Sequence, residues 1–132
     1  MALLVAAVLT IARPALAEPV TVAALGDSLT AGYGLPTEQG LVPQLQAWLD
    51  AQGAEVRLLN AGVSGDTTAG GLARLEWTLT PEVDALIVTL GGNDLLRGID
   101  PASSRANLDA ILHGAQELRL ELQGDLPHLV EK

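Results

Sequence analysis

Short apolar runs alternate with longer stretches in which apolar residues recur every three to four positions. The run Val20 to Leu25 is short, β-branched and bounded by Pro19 and Gly26, which predicts a strand. Leu41, Leu45, Trp48 and Leu49 then follow at helical spacing until Gly53 stops the helix. Val56 to Leu59 predicts a second strand. Thr67 or Thr68 can cap a helix carrying Leu72, Leu75 and Leu79, which Thr80-Pro81 ends. Ala85 to Leu90 predicts a third strand. Asp100-Pro101, an N-cap acid followed by proline at the first helical position, starts a helix whose stripe is Leu108, Ile111, Leu112, Ala115, Leu118 and Leu122, ending at Gly124. Strand and helix alternate three times, the order that builds a parallel sheet with helices on its faces.

Each predicted strand runs into a glycine-rich loop. These are Gly26-Asp27-Ser28-Leu29, then Asn60-Ala61-Gly62-Val63-Ser64-Gly65-Asp66-Thr67, then Gly91-Gly92-Asn93-Asp94. In an open parallel sheet, ligands bind beyond the carboxyl ends of the strands, and all three loops leave from those ends. The chain is therefore expected to build one composite site from three separated segments.

Composition narrows what the site can be. With 132 residues, one small domain is expected, and with no Phe, one Tyr and two Trp its core must be aliphatic. The same scarcity leaves no aromatic platform for stacking bases or sugars. The net charge of −9 repels phosphate, so nucleic acid and anionic lipid headgroups are poor partners. Zero cysteines exclude a thiolate nucleophile, a disulfide framework and a cysteine metal site, and two histidines do not build a zinc site alone. No cofactor and no metal are expected. There is no Gly-x-Ser-x-Gly elbow, no phosphate loop, and Gly32-Tyr33-Gly34 lacks the third glycine of a dinucleotide fingerprint.

Met1 to Ala17 is an apolar segment ending in Ala15-Leu16-Ala17, the small-x-small pattern that a signal peptidase needs in order to cut before Glu18. Residues 1–17 are read as a signal peptide and 18–132 as the domain, with a secreted or periplasmic destination. The alternative is a buried N-terminal helix. A membrane span is disfavoured because Arg13 and Pro14 interrupt a stretch already too short for the hydrocarbon core. Cleavage removes Arg13 and no acidic residue, leaving the remainder one unit more negative than the whole chain.

The loops carry groups suited to acyl transfer. A serine hydroxyl attacks an acyl carbon when a base takes its proton, and the oxyanion that forms needs donors already aimed at it. The backbone N–H groups of Ser28 and Gly65 and the side-chain amide of Asn93 would make three such donors. Taken singly, each loop is equally well a tight turn or a helix entry.

Gly-Asp-Ser-Leu, an Asn-x-x-x-Ser-Gly-Asp-Thr loop and Gly-x-Asn-Asp, in this order from about Val20 to Arg97, resemble the GDSL or SGNH hydrolases, in particular their secreted arylesterase and thioesterase I branch. That resemblance implies a flavodoxin-like α/β/α sandwich with a parallel sheet. It implies a serine esterase or thioesterase acting on a small acyl ester or thioester, as an arylesterase, acyl-CoA thioesterase or lysophospholipase does. It carries nucleophile and first oxyanion donor onto Ser28, the second donor onto Gly65 and the third onto Asn93, with Asp27 organising the turn.

The family's general base lies in a later Asp-x-x-His block, after further strand and helix units. Asp125-Leu126-Pro127-His128 spells that pattern, yet the preceding helix carries the chain roughly 30 Å away from the strand ends. Five more residues reach at most about 17 Å, so His128 is expected to be an exposed tail histidine and His113 a solvated one. The reading is a C-terminally truncated hydrolase domain with an incomplete fold and without its general base. A frame change near Leu112 and a genuine short protein both remain open. The third strand is then an exposed apolar edge, open to self-association with another copy. Two rivals stand beside it: a non-catalytic acyl-ligand binding or interaction module, and a flavodoxin-like anion or nucleotide binder using the loop amides.

Overall fold

The computed structural model describes residues 18–123, with side chains up to residue 120. The proposed signal segment and the Asp125 to His128 pattern lie outside them. Three parallel strands, β1 (Val20–Gly26), β2 (Val56–Gly62) and β3 (Ala85–Thr89), form a sheet in the order β2-β1-β3. The register sets Gly26 opposite both Gly62 and Thr89, so all three strands end at one level. β2 continues three residues beyond the predicted Leu59 because Asn60, Ala61 and Gly62 pair with Ala24, Leu25 and Gly26.

The helices divide between the two faces, as expected for an α/β fold. On one face, Leu25 packs with Leu75 and Ile111, and Leu72, Leu79, Leu86, Val88, Leu90, Leu108 and Leu118 surround them. These come from α3 (Thr68–Ala73), α4 (Leu75–Thr78) and α6 (Pro101–Gln123), so the core is aliphatic. On the other face lie α1 (Ser28–Ala31) and α2 (Leu41–Ala51), α1 tied to β3 by the Thr30 and Thr89 hydroxyls, 2.5 Å apart. The remaining helix, α5 (Gly92–Leu96), follows β3, and a 3-10 turn at Thr37–Gln39 leads into α2.

Three features of the sequence pattern turn out differently. Leu41 and Trp48 of α2 are 48% and 59% exposed, and Val42 takes the buried position instead. Leu112 on the α6 stripe is 59% exposed and Ile87 of β3 is partly so, because no described element lies beyond β3 to cover them. The single helix expected over Leu72 to Leu79 is broken at Arg74, whose backbone leaves the helical region at φ −115° and ψ 13°.

The two sheet edges are unlike. On β2, Gln46 from α2 donates to the Val56 carbonyl at 2.8 Å and accepts from the Leu58 N–H at 2.7 Å, so one amide satisfies the outward backbone groups there. β3 has β1 as its neighbour and no second strand among the described residues. Among those residues no helix is long and apolar enough to cross a membrane.

Gly62 sets how closely α1 approaches the sheet, since a Cβ there would run into the backbone of Thr30 and Ala31. Backbone cannot swing aside as a side chain can, so α1 would have to move. Gly62→Ala is expected to destabilise the protein by about 1–3 kcal/mol, the usual range for overpacking, read as a lower urea midpoint at unchanged slope. An unchanged midpoint would contradict the close approach.

Candidate active site

The chain turns from β1 into α1 at Gly26-Asp27-Ser28. Asp27 is buried, and its Oδ1 accepts the Leu29 N–H at 3.0 Å, capping α1 and fixing the turn. Ser28 is the first residue of α1 and half-buried, so its N–H is one of the amides that a helix start leaves without an internal partner. In the second loop, Gly65 is exposed at φ +82°, a conformation that a side chain would strain. Neither the Ser28 nor the Gly65 N–H makes a hydrogen bond to any described residue.

The three loops meet through specific bonds. Val63 N–H donates to the Gly26 carbonyl at 2.9 Å, joining the second loop to the first. Asn93 Nδ2 donates to the Asp66 carbonyl at 2.8 Å, and Arg97 donates to the Gly65 carbonyl at 2.6 Å, joining the third loop to the second. Asp27 abuts Gly92, closing the third side. Ser28, Gly65 and Asn93 therefore sit on three loops gathered at the carboxyl end of the sheet. One N–H of the Asn93 amide is engaged by Asp66, which orients the group and leaves its second N–H to give.

A buried carboxylate lies beneath the third loop. Asp94 is 2% exposed and accepts the Thr68 N–H at 2.9 Å, the Thr68 hydroxyl at 2.5 Å and the Ser104 hydroxyl at 2.9 Å. Asn107 donates to the Thr68 hydroxyl in turn. Burial by itself would raise the Asp94 pKa, but the donors from Thr68 and Ser104 outweigh it and hold the carboxyl below the ordinary aspartate range. This network locks α5, and with it Asn93, onto α3 and α6. The Gly-x-Asn-Asp pattern contained Asp94, yet its partners ten and twenty-six residues away carry no spacing signal.

Arg74 was likewise not singled out by the sequence. Its Nε donates to Asp66 Oδ2 at 2.7 Å, Nη1 to the Ala61 carbonyl at 2.8 Å and Nη2 to the Gly26 carbonyl at 2.9 Å. Its signal in the sequence was that it is the only basic residue between Arg57 and Arg97.

Among the described residues no histidine is hydrogen-bonded to Ser28. The histidine they include, His113, is exposed on α6 with Nδ1 2.8 Å from the Asp109 carbonyl, one helical turn back. This agrees with the solvated role expected for it. No three His, Asp or Glu side chains among the described residues could hold a metal ion. A separate cleft between β3 and α6, lined by Leu79, Val83, Leu86, Leu118 and Arg119, lies at the amino end of β3 and takes no part in the site.

Because the folded pKa of Asp94 is depressed, the stability it contributes is fully present above the unfolded value, about 3.9, and is lost as pH falls through the folded value. Asp94→Asn is expected to cost about 2–3 kcal/mol at neutral pH and to flatten the acid limb of stability against pH. Denaturant titrations from neutral to acid pH check this; an equally steep acid limb would contradict it.

Residues 24–128 match the GDSL-like Lipase/Acylhydrolase family. Esterase TesA of Pseudomonas aeruginosa is 49% identical over 102 residues, which are 76% of this chain and 49% of that protein. Thioesterase 1/protease 1/lysophospholipase L1 of Escherichia coli K12 is 36% identical over 76% of this chain and 48% of its own length. Among solved structures, AlinE4, an SGNH-hydrolase family esterase, superposes with a TM-score of 0.72 at 45% identity, over 77% of this chain and 56% of that one. The chain thus spans about half the length of the relatives it matches. With matched residues that include all three loops, the chain belongs to the GDSL-like lipase/acylhydrolase family.

Proposed function

We propose that the protein is a serine hydrolase of small acyl esters or thioesters, with Ser28 as nucleophile. The observation that carries the reading is the convergence of Ser28, the unengaged Gly65 N–H and the half-engaged Asn93 amide on three loops bonded to one another. Support comes from relatives named esterase, arylesterase and thioesterase.

In the first step Ser28 Oγ bonds to the acyl carbon and its proton passes to a general base. The carbonyl oxygen takes the negative charge, facing the N–H groups of Ser28 and Gly65 and the free N–H of Asn93. Each such donor is worth about 3–4 kcal/mol of transition-state stabilisation. Collapse breaks the bond to the alkoxide or thiolate, which receives the proton, and leaves an acyl-enzyme on Ser28. Water then repeats the sequence and releases the carboxylic acid. Without a base beside Ser28, turnover falls by about 10⁴ to 10⁶, while the donors still favour covalent capture.

A second reading, an acyl-ligand binding module with little turnover, is favoured by the placement of His113, which is exposed on α6 and engaged by the Asp109 carbonyl. Fluorophosphonate treatment separates the two: the hydrolase reading expects stoichiometric labelling, abolished by Ser28→Ala. Acyl-ligand binding by a folded protein that takes no label, unaffected by Ser28→Ala, would establish the binding module instead.

Export completes the proposal, with residues 1–17 as a cleaved signal and a periplasmic or secreted product. N-terminal sequencing of the protein recovered outside the cytoplasm is expected to begin at Glu18. Recovery solely as a cytoplasmic chain that starts at Met1 would contradict it.

A further inference from the structure

Arg74 makes contacts out of keeping with a surface cation. Its side chain is 22% exposed and each of its three nitrogens is engaged, one by the Asp66 carboxylate, one by the Gly26 carbonyl that ends β1 and one by the carbonyl of Ala61, the last residue but one of β2. A planar guanidinium can serve three such acceptors at once; a lysine ammonium on its flexible stem cannot reproduce that fork. The backbone interruption between α3 and α4 falls at this residue, where the helix is given up as the side chain reaches under the strands.

The bonds close a ring. Arg74 Nε reaches Asp66, the Asp66 N–H donates to the Val63 carbonyl at 3.1 Å, the Val63 N–H donates to the Gly26 carbonyl, and Gly26 accepts Arg74 Nη2. The Asp66 carbonyl, outside the ring, receives the Asn93 amide. The peptide that orients Asn93 is therefore held from its side-chain end by Arg74. Asp66 itself is 15% exposed at its side chain, so its charge is only partly hydrated and depends on this partner.

We infer that Arg74 is a positioning residue for the acyl-transfer site, acting through Asp66 on Asn93 and through Gly26 and Ala61 on the spacing of the Ser28 and Gly65 loops. The inference rests on the reading of Ser28 and its three donors given above. Arg74 touches none of the reacting atoms. Its effect is to keep three donors at one point, and a displacement of about 1 Å at such a site can cost roughly 100-fold in rate.

The test uses the full chain and two readouts. One is the second-order rate of Ser28 labelling by a fluorophosphonate. The other is the pair of side-chain amide proton resonances of Asn93, assigned by their loss in Asn93→Ala. Arg74→Met is expected to slow labelling at least tenfold and to move the Asn93 resonances towards those of a free amide, while the rest of the spectrum stays dispersed. Arg74→Lys, which keeps the charge, is expected not to restore either. Labelling within twofold of wild type together with unmoved Asn93 resonances would overturn the inference. If Arg74→Met fails to fold, Asp66→Asn decides: it keeps the side-chain volume but removes the charge, and a threefold or greater slowing with a shifted Asn93 amide is expected, whereas no change in either overturns the inference. If the wild type takes no label, the nucleophile reading has failed, and the Asn93 resonances alone still judge Arg74, a shift supporting the clamp and no shift overturning it.

Discussion

Parallel pairing of β1 with both neighbours stops the three strands at one level, with Gly26 opposite Gly62 on one side and Thr89 on the other. Everything at the site follows from that shared end. Because each strand is followed by a turn at the same edge, residues as far apart in sequence as Ser28 and Asn93 come to one place without a long loop. The pairing itself rests on an aliphatic layer, Leu25 against Leu75 and Ile111, which fixes β1 in the middle of the sheet. A one-residue slip of either neighbour would reverse which side chains face that layer, so packing and register enforce each other.

Polar groups then fix what packing leaves loose. Asp94 pins the third loop to α3 and α6 from below, and Asp66 joins the second loop to the third through its carbonyl and to Arg74 through its carboxylate. Both carboxylates sit where water is largely excluded, so each bond is stronger than it would be on the surface and each loss is more damaging. The division of labour is clear in the exposures: Asp27 and Asp94 are buried, Ser28 and Asn93 are half-buried, and Gly65 is open to solvent. The supporting carboxylates lie inside, and the loop groups of the candidate site lie nearer solvent.

Much of this was legible in the sequence. The three strands, the helices α2 and α6, a cap at one of Thr67 and Thr68, and the cap at Asp100 follow from local pattern and chemistry, and each is present, whereas α1, α5 and the break at Arg74 do not follow from it. The three loops could be placed at one end of the sheet because parallel topology leaves no other arrangement. What local pattern misses is long-range. Leu41, Trp48 and Leu112 have the periodicity of buried residues, but burial depends on which neighbours cover them. Gln46 reads as a polar residue on a helix, and its service to the edge of β2 appears only once α2 is placed. Arg74 and Asp94 act across sequence separations of up to 48 residues, which no periodicity encodes.

Whether Ser28, Gly65 and Asn93 act on one substrate atom is decided by a crystal structure of the protein after reaction with an alkyl phosphonate, which mimics the tetrahedral intermediate. Phosphorus is expected to be bonded to Ser28 Oγ, with its non-bridging oxygen within about 3.1 Å of Ser28 N, Gly65 N and Asn93 Nδ2. An adduct on Ser28 whose oxygen points to solvent, or an adduct on another residue, would contradict it.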